Sequence, residues 1–174
     1  MDRGNVEGEH MQRFQAQAVI NRPIDTVFAY ITDIERLKQS MAVFRAEEYA
    51  LDLGGSGVSH TTLIPPVRQE KEGPLQVGTT FRQSNGSLDH PLEATMEVIE
   101  FEPPDRLALK TMSKLETKYT RYVLESLPEG TRLTQTIETK SENVFANLFN
   151  LFSYNMAQQQ LNQDLTDLKQ QLET

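Results

Sequence analysis

The chain has 174 residues, enough for one domain with a core, or with a core that encloses a cavity. Its net charge of −8, from 25 acidic and 17 basic residues, disfavours nucleic acid as a partner, because binding to phosphates needs a basic face. The absence of cysteine excludes disulfides, thiol nucleophiles and cysteine-ligated metals. No run approaches the roughly 20 apolar residues of a transmembrane segment. We therefore expect a cytoplasmic protein, with residues 1–11 as a disordered or non-native leader and residues 12–174 as one domain.

The first elements are a strand and two short helices. Residues 12–21 alternate between apolar and polar side chains, as a half-buried strand does. A helix is predicted to begin at Pro23 and Asp25, since proline suits a first helical turn and an acidic residue suits the helix dipole. A second helix is predicted from Asp33, a plausible N-cap, to about residue 39.

The middle of the chain contains a second predicted strand and an unusually long connection. Residues 43–53 alternate imperfectly. The stretch from Gly54 to Gly78 holds five glycines and three prolines, which is too long for an ordinary loop in a compact domain. Residues 54–77 are therefore either a lid or a solvated insertion, and residues 58–64 within them are compatible with a short strand.

An antiparallel meander follows. The alternation of side chains and the turn residues between the runs predict strands at 79–84, 92–101, 106–113, 116–127 and 131–139. Because the links are short, strands that are neighbours in sequence are expected to be neighbours in the sheet.

A long helix is predicted from residue 141 to residue 174. Leucines at i, i+4, i+7 and i+11 place one apolar stripe on its second half, and a second stripe lies on its first half. The leucines are Leu161, Leu165, Leu168 and Leu172, and the second stripe is Phe145, Phe149, Phe152 and Met156. The predicted fold is thus α+β, with a curved antiparallel sheet of six to seven strands wrapped around a long C-terminal helix. A gap between sheet and helix is where a ligand is expected.

Several segments resemble the START-like or SRPBCC superfamily, which has the helix-grip fold and includes polyketide cyclases and dehydratases, coenzyme-Q-binding proteins and lipid-transfer domains. The segments are NRPIDTVFAYITD at 21–33, VGTTFR at 77–82, VIEFEPPDRL at 98–107, GTRLT at 130–134 and LTDLK at 165–169. The resemblance runs from about residue 14 to residue 172. It implies a cavity for a small hydrophobic ligand such as a lipid, an isoprenoid or a polyketide-like compound. It implies no cofactor.

The candidate site residues follow from the predicted elements. Apolar and aromatic side chains on the strands and the helix form the predicted cavity lining: Phe81, Met96, Met112, Tyr122, Phe149, Phe152 and Met156. Polar contacts are predicted from His60, Arg82 and His90, and the spacing of the three histidines indicates no metal site. Plain core packing is the other interpretation of the apolar set.

Three functions remain open on the sequence. The first is binding of a hydrophobic ligand. The second is a cyclase or dehydratase activity in which His60 or His90 acts as an acid or base. The third is an interaction module or homodimer that uses the aromatic stripe of the C-terminal helix.

Overall fold

The structure is a computed structural model that describes residues 10–41, 66–84, 93–113, 116–141 and 150–174. Within these ranges the chain forms seven strands and three helices, taken here in chain order. They are β1 (His10–Ile20), α1 (Ile24–Ile31), α2 (34–41), β2 (Val67–Gln69), β3 (Thr80–Ser84), β4 (Glu93–Glu102), β5 (Arg106–Met112), β6 (Glu116–Leu127), β7 (Gly130–Ser141) and α3 (Asn150–Glu173).

The seven strands form one antiparallel sheet in the order β1-β7-β6-β5-β4-β3-β2. The predicted meander is confirmed, because β3 to β7 are joined in the sheet in the order in which they follow along the chain. β1 pairs with β7, and this pairing leaves β1 at one edge of the sheet and β2 at the other. The predicted α+β fold, with two short helices after the first strand and a long C-terminal helix, is also confirmed.

Three predicted boundaries differ from the structure. β1 begins at His10, two residues before the predicted start of the first strand. β2 lies inside the predicted 54–77 loop, because residues 67–69 pair with residues 81–83 of β3. β7 continues to Ser141, so the helix does not begin there. The predicted strands at 43–53 and 58–64 lie outside the described residues.

The two short helices begin as their sequences predict. Pro23 stands at the N-cap of α1, and the helix buries Val27, Phe28 and Ile31. The Asp33 side chain accepts a hydrogen bond at 2.9 Å from the backbone N–H of Arg36, which confirms Asp33 as the N-cap of α2. α2 buries Leu37 and Met41, so both helices contribute to the single core.

α3 packs on the sheet through the predicted leucine stripe. Leu161 and Leu165 are each 2% exposed, while Leu168 and Leu172 are half-buried against the same core. Tyr154, one turn after the start of α3, packs against Phe14 of β1 with their ring centroids 5.0 Å apart. None of the helices in the described ranges combines the length and hydropathy needed to cross a membrane.

α3 runs alongside β1 for most of its length, and two hydrogen bonds mark the ends of this contact. The Gln158 side-chain amide donates to the backbone carbonyl of Gln15 at 2.9 Å. The backbone N–H of Asn21 donates to the Glu173 carboxylate at 2.7 Å. The helix therefore lies against the edge strand as well as over the sheet's inner face.

Candidate functional site

The inner face of the sheet, which we define as the face that packs toward α3, is apolar across its middle. On β4 the residues Ala94, Met96 and Val98 are buried and alternate with more exposed neighbours. The register places Val98 beside Leu109, and Met96 beside Thr111, on β5. Paired residues on neighbouring strands share a face, so these side chains form one surface across the sheet. A ligand or the side chains of the core can pack on it.

A cleft of about 320 Å³ opens where the helices meet this face, between α2 and α3. Ligand sites in proteins range from roughly 300 to 1,000 Å³, so the cleft is at the small end of that range. Four elements line it: α1, α2, β6 and α3. The lining residues are Tyr30, Ile31, Arg36, Leu37, Ser40, Tyr122, Asp164, Asp167, Leu168 and Gln171.

The floor of the cleft is apolar apart from one hydroxyl group. Ile31 and Leu37 are buried there, and Leu168 is half-buried. Tyr122 reaches the cleft from β6, where its neighbour on β7 is Gln135. Within the described parts of the chain, the Tyr122 hydroxyl accepts a hydrogen bond from the Gln135 side-chain amide at 3.2 Å and donates its own hydrogen to no group. Of the residues that the structure describes, none competes with a bound molecule for that hydrogen.

Burial, and to a smaller extent the nearby negative charge of Asp164, raises the pKa of Tyr122 from 10.0 to about 12. The hydroxyl is therefore protonated at neutral pH. In this state it is a hydrogen-bond donor and acceptor, and it carries no charge.

This pKa predicts a loss of stability at alkaline pH. Between pH 10 and about pH 12 the unfolded chain releases the Tyr122 proton and the folded chain retains it, so the free energy of unfolding falls as the pH rises. Below that window the group is neutral in both states and has no effect. The free energy of unfolding of Tyr122→Phe should rise relative to that of wild type by up to about 1.4 kcal/mol per pH unit across this window. Urea unfolding at several pH values measures this, and parallel pH profiles for the two proteins would contradict it.

The rim of the cleft carries a contact that joins all three helices. The Arg36 guanidinium carbon lies 3.5 Å from the centroid of the Tyr30 ring. One Arg36 N–H donates to the Gln171 side-chain oxygen at 3.3 Å, and the Tyr30 hydroxyl donates to the same oxygen. We call these three residues the rim clasp. It links α1, α2 and α3 and holds the Arg36 charge at the outer edge of the cleft.

Two carboxylates on α3 face the same cleft. Asp164 accepts a hydrogen bond from the Gln160 side chain at 2.7 Å, and Asp167 accepts one from Gln163 at 2.8 Å. Both donors lie one turn earlier on α3, so each carboxylate is held by its own helix. The cleft is thus lined by two acidic side chains and one basic side chain.

Among the predicted site residues, only Tyr122 lines the described cleft. Phe81 and Met96 are register partners on the inner face and are fully packed, at 0% and 2% exposure. Met112 and Arg82 lie on the opposite face of the sheet, because both are paired with Thr95, which points away from its neighbour Met96. Arg82 forms an ion pair with Glu70 there, with 2.9 Å between Nε and Oε1.

The predicted helix stripe is described only in part. Met156 is 56% exposed, so it lies away from the cleft and faces solvent. Phe149 and the side chain of Phe152 are outside the described residues, as are His60 and His90. The proposed homodimer through this stripe therefore stays a prediction.

The cleft also contains residues that the sequence analysis did not assign to a binding site. Asp164, Asp167, Leu168 and Gln171 have i, i+3, i+4 and i+7 spacing, which places them on one face of α3. That spacing was a usable signal for a second, mostly polar face beside the leucine stripe. Arg36 gave no comparable signal, because its partner on α3 is distant in sequence. In the described ranges no group of three or more acidic or histidine side chains is arranged to hold a metal ion.

Comparison with known proteins supplies the family. Residues 11–173 match the family model described as "Polyketide cyclase / dehydrase and lipid transport". The chain belongs to this family. Proteins of the polyketide cyclase and lipid transport family generally bind hydrophobic ligands, and the apolar inner face described above is consistent with that. No curated protein sequence gives a significant match.

Solved structures similar to this member of the polyketide cyclase and lipid transport family agree on the fold. An uncharacterized protein from Rhizobium leguminosarum is 15% identical with a TM-score of 0.58, covering 95% of this chain and 97% of that one. The protein TTHA0849 from Thermus thermophilus is 16% identical with a TM-score of 0.59, covering 92% and 97%. Ara h 8.0201 is 11% identical with a TM-score of 0.53, covering 94% and 96%. Identities this low establish the helix-grip fold and no specific ligand.

Proposed function

We propose that this protein binds a small hydrophobic molecule, such as a lipid, an isoprenoid or a polyketide-like compound, with one end in the cleft between α2 and α3. The observation that carries the proposal is the Tyr122 hydroxyl. It stands on an otherwise apolar floor and has a hydrogen that no described group accepts. Ligand sites typically combine apolar walls with a few well-placed polar groups.

The arrangement of the walls supports binding of an elongated or flat molecule. Ile31, Leu37 and Leu168 offer apolar contact on the helix side of the cleft. Tyr122 lies beside Leu107 on the inner face of the sheet, so the cleft floor continues into the apolar surface. A ligand whose polar atom contacts Tyr122 can therefore bury its hydrocarbon part against neighbouring apolar side chains.

Catalysis by a cyclase or dehydratase mechanism requires a group that moves protons near the ligand. Tyr122 does not serve as a base at neutral pH, because its pKa is raised to about 12, chiefly by burial. His60 and His90, the residues predicted for this role, are outside the described ranges. Tyr122 is therefore proposed as a ligand-binding group and not as a catalytic base.

The first test is to identify a bound ligand. The purified protein is denatured, extracted with organic solvent and analysed by mass spectrometry, and a panel of apolar compounds is screened by thermal shift. We expect a co-purifying apolar compound, or a compound that raises Tm as its concentration increases. An empty extract together with a flat thermal screen would remove the basis for the proposal.

A pair of variants then tests the place of binding. Ser40→Phe puts a large ring at a position that lines the cleft, and Gln39→Phe puts the same ring on an exposed position of α2 that does not. We expect Ser40→Phe to weaken binding by at least about tenfold, because the ring occupies the ligand's volume. Gln39→Phe should bind as wild type does. Equal affinities of the two variants would place the ligand elsewhere in the protein.

A further inference from the structure

We propose that the cleft selects ligands whose polar end is an uncharged oxygen acceptor, such as a ketone, ester or ether, and rejects carboxylates of the same chain length. This inference rests on the proposed function and adds the chemical class of the ligand's polar end. It follows from the Tyr122 hydroxyl on the floor of the cleft and from the three charged groups that line it.

The donor requires an acceptor. The Tyr122 hydroxyl oxygen already accepts a hydrogen bond from Gln135 at 3.2 Å, so the group offers its hydrogen. A carbonyl or ether oxygen completes this bond. An ammonium group cannot, because it has donors and no acceptor.

The negative charges lie close to that donor. Asp164 is near enough to the Tyr122 hydroxyl to act on it electrostatically, and Asp167 lines the same cleft one helical turn later. Aspartate side chains are negatively charged at neutral pH. A ligand carboxylate placed at Tyr122 therefore faces like charge from two side chains of α3, which disfavours its binding.

The positive charge of the cleft does not offset this repulsion. Arg36 lies at the outer rim, stacked on Tyr30 and donating to Gln171. The guanidinium is thus already engaged by both partners of the rim clasp. The charged side chains that line the cleft, two acidic and one basic, leave it with a net negative charge.

A matched set of ligands tests the inference. Decan-2-one, decanoate and decylammonium share a linear chain and differ in the charge of the polar end. Their affinities are measured at neutral pH by displacement of Nile red, an uncharged apolar dye. We expect decan-2-one to bind at least about tenfold more tightly than decanoate, as one like-charge contact predicts. Decylammonium, whose charge is opposite to that of Asp164 and Asp167, is the charge control and should bind more tightly than decanoate.

Three variants assign the preference to residues. Asp164→Asn should reduce the difference in affinity between decan-2-one and decanoate. Glu129→Gln removes the same charge at the β6–β7 turn and should leave this difference unchanged. Tyr122→Phe should weaken the binding of decan-2-one and leave the binding of decanoate little changed.

The outcomes separate this inference from the proposed function. If Nile red and decan-2-one bind but decanoate binds as tightly as the ketone, the inference is overturned and the proposed function stands. If neither Nile red nor any of the three compounds binds, the proposed function fails, and the inference fails with it.

Discussion

Gly130→Ala is expected to destabilise the protein by at least about 3 kcal/mol, through backbone strain and steric overlap together. Gly130 follows the tight turn between β6 and β7 and has a φ of +143°, a conformation that only glycine adopts readily. A Cβ at this position would overlap the backbone carbonyl oxygen of Ile20 and lie 3.0 Å from the Asn21 Cα. Because both neighbours are backbone atoms, no side-chain rotation relieves the contact.

Gly73→Ala is the matched control for this effect. Gly73 has a similar φ of +150°, but a Cβ there would meet nothing within 4 Å. The stability lost in Gly73→Ala therefore reflects backbone strain alone, about 1–3 kcal/mol, without steric overlap. Urea unfolding followed by circular dichroism measures both variants. If Gly130→Ala costs no more than Gly73→Ala, the close approach of the β6–β7 turn to the end of β1 is not present in solution.

Leu165→Ala is expected to lower the free energy of unfolding by about 2–5 kcal/mol, the usual cost of removing a buried leucine side chain. Leu165 is 2% exposed and is one of the two fully buried leucines through which α3 packs on the core. The truncation leaves a cavity between the helix and the sheet. The cost depends on how far the surrounding side chains can close around it.

Met156→Ala on the same helix provides the comparison. Met156 is 56% exposed, so its truncation should change stability by no more than about 0.5 kcal/mol. Chemical unfolding of both variants at one pH measures the difference. A Leu165→Ala variant as stable as Met156→Ala would mean that α3 is not docked through its leucine stripe, and the cleft between α2 and α3 would lose its wall.

The fold was predictable because its signals are local. The alternation of side chains indicates β4, in which Ala94, Met96 and Val98 are buried. Turns that contain proline mark the ends of β4 and β6. Leucine spacing gave the buried face of α3, and Asp33 gave the start of α2. Each of these signals acts over a few residues, and the short connections then leave little choice of strand order.

The face of β5 was not predictable from alternation. Leu107, Ala108 and Leu109 are consecutive apolar residues and are all buried, so the period of two does not indicate which face Met112 occupies. The sheet register decides it, and Met112 lies on the opposite face from Thr111. A continuous apolar run in a strand therefore predicts burial without predicting orientation.

Most of the cleft was not predictable because it depends on contacts between distant residues. Arg36 and Gln171 are 135 positions apart and share no local pattern. Tyr122 was predicted because it is an aromatic residue on a strand of the meander, where one face of the sheet is expected to line the cavity. The remaining lining residues become neighbours only when α2 and α3 pack at their observed positions.

The contact of α3 with the edge strand has a consequence for aggregation. An edge strand offers unpaired backbone groups to which a strand of another molecule can add. Here the Gln158 side chain donates a hydrogen bond to the backbone carbonyl of Gln15, and α3 lies beside β1. If the helix detaches, the edge of β1 and the apolar inner face of the sheet become accessible together. The same helix that forms the cleft wall thus covers the β1 edge of the sheet, and its undocking would expose that edge to a strand of another molecule.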